Sequence, residues 1–124
     1  MGQTVAILGA SKNPERYSYR ALEMLKEYGH TPLPVHPGLS EIESVPVFAK
    51  LTDIHVPVDT LTMYVGPAIS TKMKEEILKL RPKRVIFNPG SENPALEQEL
   101  RQAGIHVIDA CTLVLLRTNQ FEKA

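Results

Sequence analysis

The sequence predicts an α/β domain in three layers, with a doubly wound, mainly parallel five-stranded sheet between two layers of helices. Three observations predict it. Short apolar, β-branched runs alternate with amphipathic stretches along the whole chain, the order that generates βαβ units and a parallel sheet. Several of the apolar runs lack the apolar–polar alternation of a half-exposed strand, as strands covered on both faces do. Finally, glycines stand where helices of this kind end. With 124 residues, 43% of them apolar, the chain is the size of one domain with one core, and residues 1–124 are read as a single unit.

Thr4 to Leu8 (TVAIL) is the first predicted strand. After GASKNP, with Pro14 suited to a helix start, Ser18 to Tyr28 carries Ala21, Leu22, Leu25 and Tyr28 at helical spacing, and Gly29 follows as a C-cap residue. Thr31 to Val35 (TPLPV) reads as a second strand, shortened or irregular because Pro32 and Pro34 each remove a ladder donor. Residues 37–57 are the least regular, with a short strand at Val47 and Phe48 and one helical turn near Leu51. Val58 to Val65 is the next strand. Pro67 to Leu80 is a helix with Ile69, Met73, Ile77 and Leu80 on one face. Lys83 to Asn88, Pro94 to Ala103 and Ile105 to Ile108 then give strand, helix and strand, with Gly104 ending the helix. The apolar tail ACTLVLLRT is expected to pack back on the body. Right-handed crossovers between parallel strands put helices on both sheet faces, which makes the fold Rossmann-like.

Composition narrows the function. Fourteen basic residues balance fourteen acidic ones, so the broad basic face that nucleic acid demands is not expected, although a local anion pocket is compatible with zero net charge. The lone Cys111 cannot form an internal disulfide, which fits a reducing cytoplasm. No apolar run approaches the roughly 20 residues of a membrane span, and the opening GQTVAILGA lacks the basic region of a signal peptide. The expectation is a cytoplasmic protein with a small-molecule ligand and neither nucleic-acid nor membrane partner.

Ligands of such sheets bind beyond the carboxyl ends of the strands, where strand order reverses. Gly9-Ala10-Ser11 lies at that end of the first strand. Gly9 permits a tight strand-to-helix turn, the following helix N-terminus favours a phosphate, and Ser11 can add a hydroxyl. Arg16 and Arg20, four residues apart near the same end, can bring positive charge; the alternative is a plain turn with two solvated arginines. The full GxGxxG fingerprint is missing. Where an NAD site carries an acidic residue at the end of the second strand, this chain has Val35-His36-Pro37-Gly38, and its next carboxylate is Glu41. His36 is either a phosphate or ribose contact or a polar loop histidine. Tyr64, before Gly66, and Asn88-Pro89-Gly90, before Ser91 and Glu92, complete the loops on this rim. Ser91 and Pro94 also suit a simple helix start.

GASKNPERYSYRALEMLKEYGH, PVHPG, RVIFNPGSEN and AGIHVIDACTLVLL together resemble the small stand-alone CoA-binding proteins, whose Rossmann-type domain is shared with the α subunit of succinyl-CoA synthetase. The resemblance runs from about Val5 to about Arg117. It implies a coenzyme A or acyl-CoA ligand, with phosphates received by Gly9, Ala10 and Ser11, the nucleotide along Val35, His36 and Pro37, and pantetheine bordered by Asn88, Pro89 and Gly90. Arg16, Arg20 and Tyr64 join the implied contacts. The synthetase's phosphohistidine loop and nucleotide-grasping domain have no counterpart in these segments, so ligase activity by this chain alone is not expected.

No other constellation signals an enzyme. The histidines lack paired zinc-site spacing, the single cysteine gives no CxxC, and Asp53, Asp59 and Asp109 form no local carboxylate pair. Cys111 is either a buried apolar residue or a thiol placed to meet the CoA thiol. The expectation is therefore a non-catalytic CoA-binding module with no catalytic or metal residues. Two alternatives remain: an NAD(P)-dependent enzyme using the same pocket, or an interaction protein with a vestigial one. A homodimer is compatible with so small a domain.

Overall fold

The computed structural model describes residues 2–124. Its elements, in chain order, are β1 (Thr4–Leu8), α1 (Tyr17–Glu27), β2 (Thr31–Val35), β3 (Glu41–Ile42), β4 (Val45–Pro46), a 3-10 turn (Leu51–Asp53), β5 (Thr60–Met63), α2 (Pro67–Ser70), a second 3-10 turn (Thr71–Met73), α3 (Lys74–Leu80), β6 (Arg84–Phe87), α4 (Pro94–Gln102), β7 (His106–Asp109) and α5 (Thr112–Arg117). The main sheet has the order β2-β1-β5-β6-β7, with every neighbouring pair parallel. The chain thus runs outward from β1 to β2, crosses back over β1, and continues outward on the other side. The reversal lies between β1 and β5.

Period-two alternation divides the β1 side chains between two cores. Val5 and Ile7 pack with Leu22 and Leu25 of α1 and Leu116 of α5, whereas Ala6 and Leu8 pack with Ile77 of α3 and Leu96 and Leu100 of α4. Both faces are covered, which is why β1 and β5 are apolar or neutral throughout and β6 is apolar after its first residue, Arg84. The apolar tail forms α5 and does pack back: Leu116 and Phe121 are buried in the same cluster as α1. Pro32 and Pro34 are tolerated because β2 is an edge strand. α1 closes on Gly29 (φ +85°), with the His30 amide donating to the Leu25 carbonyl at 2.8 Å, the Schellman closure expected of a C-cap glycine.

Four local expectations are corrected. The stretch from Pro67 to Leu80 is a broken helix, interrupted by the 3-10 turn at Thr71–Met73. There Asn93 donates to the Ser70 and Thr71 hydroxyls at 2.9 and 3.0 Å, pinning the break to the start of α4. Pro14 does not begin α1: Asn13 first closes a turn, accepting from the Arg16 amide at 3.0 Å, and the helix starts at Tyr17. The strand expected from Val58 shortens to Thr60–Met63, because the Asp59 carboxylate turns back to accept from the Thr4 amide at 2.8 Å. In place of a strand at Val47 and Phe48 there is a β3–β4 hairpin and a single bridge from Phe48 to Val35.

Candidate functional site

At the point of reversal the loops after β1, β2 and β5 diverge and leave a cleft of about 980 Å³, at the upper end of the range for small-molecule sites. Gly9, Ala10 and Ser11 form its floor. Gly9 has φ +88°, and a Cβ there would stand 2.9 Å from Val65 Cγ1 and 3.1 Å from the Tyr64 carbonyl oxygen, so the first loop crosses the β5 loop where only glycine fits. The Ala10 amide donates to the Val35 carbonyl at 3.2 Å. Ser11 Oγ accepts from the Asn13 amide at 3.0 Å, which leaves its own proton free to donate.

Next to this floor stands the N-terminus of α1. Its N-cap residue, Arg16, is extended and contributes no side-chain cap, and the first turn contains no acidic residue. The first-turn amides and the positive end of the helix dipole therefore lack an internal anion. Arg16 and Lys50 both line the cleft, and neither forms an ion pair among the described residues. His36 Nδ1 accepts from the Gly38 amide at 2.9 Å, which assigns the ring proton to Nε2 as a donor.

The opposite wall comes from the end of β5 and from α2–α3. It presents Val65, Ile69 and Met73, and Ile69 is 53% exposed because the helix break turns it away from the core. Two further polar residues border the cleft. Tyr64 lies with its hydroxyl buried and unbonded; burial pushes its pKa up to about 12, against the Thr112 and Thr62 hydroxyls, which favour the ionised form. Those two hydroxyls are engaged with each other at 2.8 Å, and neither reaches Tyr64 in hydrogen-bond geometry. Glu76 Oε1 is likewise buried without a partner.

A cleft at the β1–β5 switch point, with an uncapped helix end, unpaired cations and an apolar wall, suits a long phosphorylated ligand with an uncharged portion. Comparison with known proteins decides the family: the CoA binding domain matches residues 3–117. The chain belongs to the CoA-binding domain family. The crystal structure of an uncharacterized protein superposes on this CoA-binding domain with a TM-score of 0.91 at 38% identity, covering 98% of this chain and 99% of the other. The uncharacterized protein YneT of Bacillus subtilis (strain 168) is 26% identical over 111 residues, 89% of this chain and 82% of that protein. A dinucleotide-forming acetyl-coenzyme A synthetase from Ca. Korarchaeum cryptofilum shares the fold at 22% identity and a TM-score of 0.75, covering 87% of this chain and 25% of the synthetase.

Of the residues singled out in sequence, Gly9, Ala10, Ser11, Arg16, Val35, His36, Pro37 and Tyr64 line the cleft of the CoA-binding domain, while Arg20, Asn88, Pro89 and Gly90 do not. The Arg20 guanidinium lies 5.6 Å from the centroid of the Tyr17 ring. Asn88 is buried and fully engaged: it donates to Thr62 Oγ1 at 2.7 Å and the Met63 carbonyl at 2.8 Å, and accepts from the Thr112 amide at 2.9 Å. It braces β5, β6 and α5 against one another beneath Tyr64. Pro89 and Gly90 are exposed beyond it. The loop they belong to ends in an N-cap supplied by Asn93, whose side chain accepts from the Leu96 amide, while Ser91 donates to the Asn88 carbonyl at 2.7 Å. Cys111 is half-buried and lies outside the lining of the cleft. Sequence reading missed Lys50 and Glu76. Lys50 sits in a stretch without periodicity, and Glu76 lies on a helix whose bend is not written in its own residues.

Proposed function

We propose that this domain binds CoA or an acyl-CoA in the rim cleft without catalysing a reaction, its phosphates held by the Gly9-Ala10-Ser11 loop and the first turn of α1. The observation that carries this reading is the uncapped α1 N-terminus beside the free Ser11 proton and the unpaired Arg16 and Lys50. A pyrophosphate there would receive amide, hydroxyl and cationic donors together, each stronger for being charge-assisted. Val35, His36 and Pro37 then border the nucleotide, with the His36 Nε2–H as a donor. Val65, Ile69 and Met73 offer an apolar wall to an uncharged part of the ligand. Asn88 acts as a brace, and Pro89 and Gly90 come into play where a longer ligand reaches past the cleft. The ligand is a small molecule.

Binding to the folded state alone stabilises it by roughly 2.7 kcal/mol at about 100 times the dissociation constant. A thermal-shift panel of CoA, acetyl-CoA, ADP, NAD and NADP is therefore expected to raise the melting temperature with the CoA species and little with NAD. Ser11→Glu places a carboxylate where the phosphates would lie and is expected to abolish the shift. An equal shift in Ser11→Glu would remove the phosphate-loop assignment. A larger shift with NAD or NADP would favour an enzyme, and a flat panel an interaction protein.

A further inference from the structure

We propose that Glu76 is a specificity-determining acceptor in this cleft: its buried Oε1 takes a hydrogen bond from an uncharged N–H or O–H of the ligand and keeps phosphate out of that part of the site. The inference rests on the CoA reading above and adds to it a residue, a polarity and an orientation.

Among the described residues the buried side-chain polar atoms without a hydrogen bond are two, Tyr64 Oη and Glu76 Oε1, and both residues line the cleft. Elsewhere the chain satisfies such groups internally. The buried carboxylate of Glu97 accepts from the Asn93 amide at 3.0 Å and lies 3.8 Å from Arg101. Buried Arg84 donates to Thr60, Gln3 and two carbonyls of the tail. Leaving a buried acceptor unmet is costly, and Glu76 has Lys79 three residues on in α3 yet forms no ion pair with it. A ligand in the cleft that Glu76 lines can supply the group that completes it.

The neighbouring chemistry says what kind of group. Glu76 shares its wall with Val65, Met73 and Ile69, so that wall offers a phosphate no cationic partner. Arg16 and the open helix end belong to the Ser11 side, where Glu15 also lines the cleft, so anions are received at the helix end and an uncharged donor at the Glu76 wall. CoA offers such donors in two places, the pantetheine amides and the nucleotide's amino and hydroxyl groups.

Isothermal titration of CoA and of ADP into wild type, Glu76→Met and Glu76→Gln tests this. Glu76→Met keeps size and helix propensity but removes the acceptor, and CoA binding should weaken about tenfold or more. Glu76→Gln retains a carbonyl acceptor and should stay within about threefold of wild type. The ligand-free melting temperature of Glu76→Met should equal or exceed wild type, because an orphaned acceptor has been removed; Glu76→Ala serves as the second variant if Met is not accommodated. A loss shared by CoA and ADP assigns the donor to the nucleotide, and a loss confined to CoA assigns it to pantetheine. Glu76→Met that binds CoA as tightly as wild type, or more tightly, overturns the acceptor role and leaves the CoA reading standing. A wild-type protein that binds neither CoA nor ADP overturns both.

Discussion

At Gly9 two constraints coincide: a left-handed backbone at φ +88° and a neighbouring strand end that a Cβ would meet at 2.9 Å. Gly9→Ala therefore incurs the left-handed penalty of about 1–2 kcal/mol and forces apart the β1 and β5 loops. A total loss of about 2–3 kcal/mol is expected in urea unfolding, with weaker CoA binding because the floor of the cleft shifts. An unchanged midpoint would mean that the two loops part at little cost. The need for glycine at this position was legible in sequence, since a strand running straight into a helix requires it. Asn88 was not. A polar residue at a strand end looks the same whether it faces a ligand or braces the sheet, and its partners Thr62 and Thr112 lie 26 and 24 residues away. Tyr64 and Glu76 share this opacity: their value lies in what they fail to touch, which only the packed fold defines.

Among the elements, the β3–β4 hairpin is the one whose residues suit their backbone least. Its turn residues Glu43 and Ser44 have φ +50° and +65°, the primed geometry that prefers Asn-Gly. It persists because Ile42 is buried in the core and because Glu43 holds the Tyr19 hydroxyl of α1, a bond that raises the phenol pKa to about 12. Ser44→Gly relieves the strain without touching that bond and is expected to stabilise the protein by about 1 kcal/mol, a rise of a few degrees in melting temperature. A fall would show that Ser44 contributes something beyond its backbone. This hairpin is nearly illegible in sequence, because two-residue strands carry no periodicity and the turn uses the wrong residues. The break between α2 and α3 escaped detection for a related reason: Ile69, Met73, Ile77 and Leu80 satisfy a helical pattern, and the interruption is imposed from α4 through Asn93. The long apolar strands and α1 were legible because burial on both sheet faces writes itself into every residue of a run.

Across the whole molecule, the chain's beginning and end are clasped together at the sheet end opposite the cleft. His30, 6% exposed, accepts from the Gln3 amide on Nδ1 at 2.9 Å and packs tilted against the Phe121 ring, with centroids 4.9 Å apart. The Phe121 carbonyl in turn receives Arg84 at 2.6 Å. The His30 ring must be neutral to accept that bond, and burial, its largest influence, lowers its pKa below the ordinary 6.5, with Arg84 acting in the same sense and Glu122 against it. In the unfolded chain His30 protonates near 6.5, so below that pH the unfolded state binds more protons and the fold loses stability. The contribution is fully present above about pH 7.5, decreases as the pH falls through 6.5, and levels off only below the depressed folded value. Glu97 has the opposite sign: burial raises its carboxyl above 4.5, so its contribution is present below 4.5 and is lost as the pH rises through the folded value. Subtracting the profile of His30→Gln from that of wild type separates the two. Urea midpoints measured from pH 8 to pH 5 should fall for wild type and fall less for His30→Gln, with the curves parallel above pH 7.5. Parallel curves over the whole range would mean that the clasp accepts a charged His30. Because the clasp lies away from the cleft, CoA affinity at pH 7.5 should be the same in both proteins.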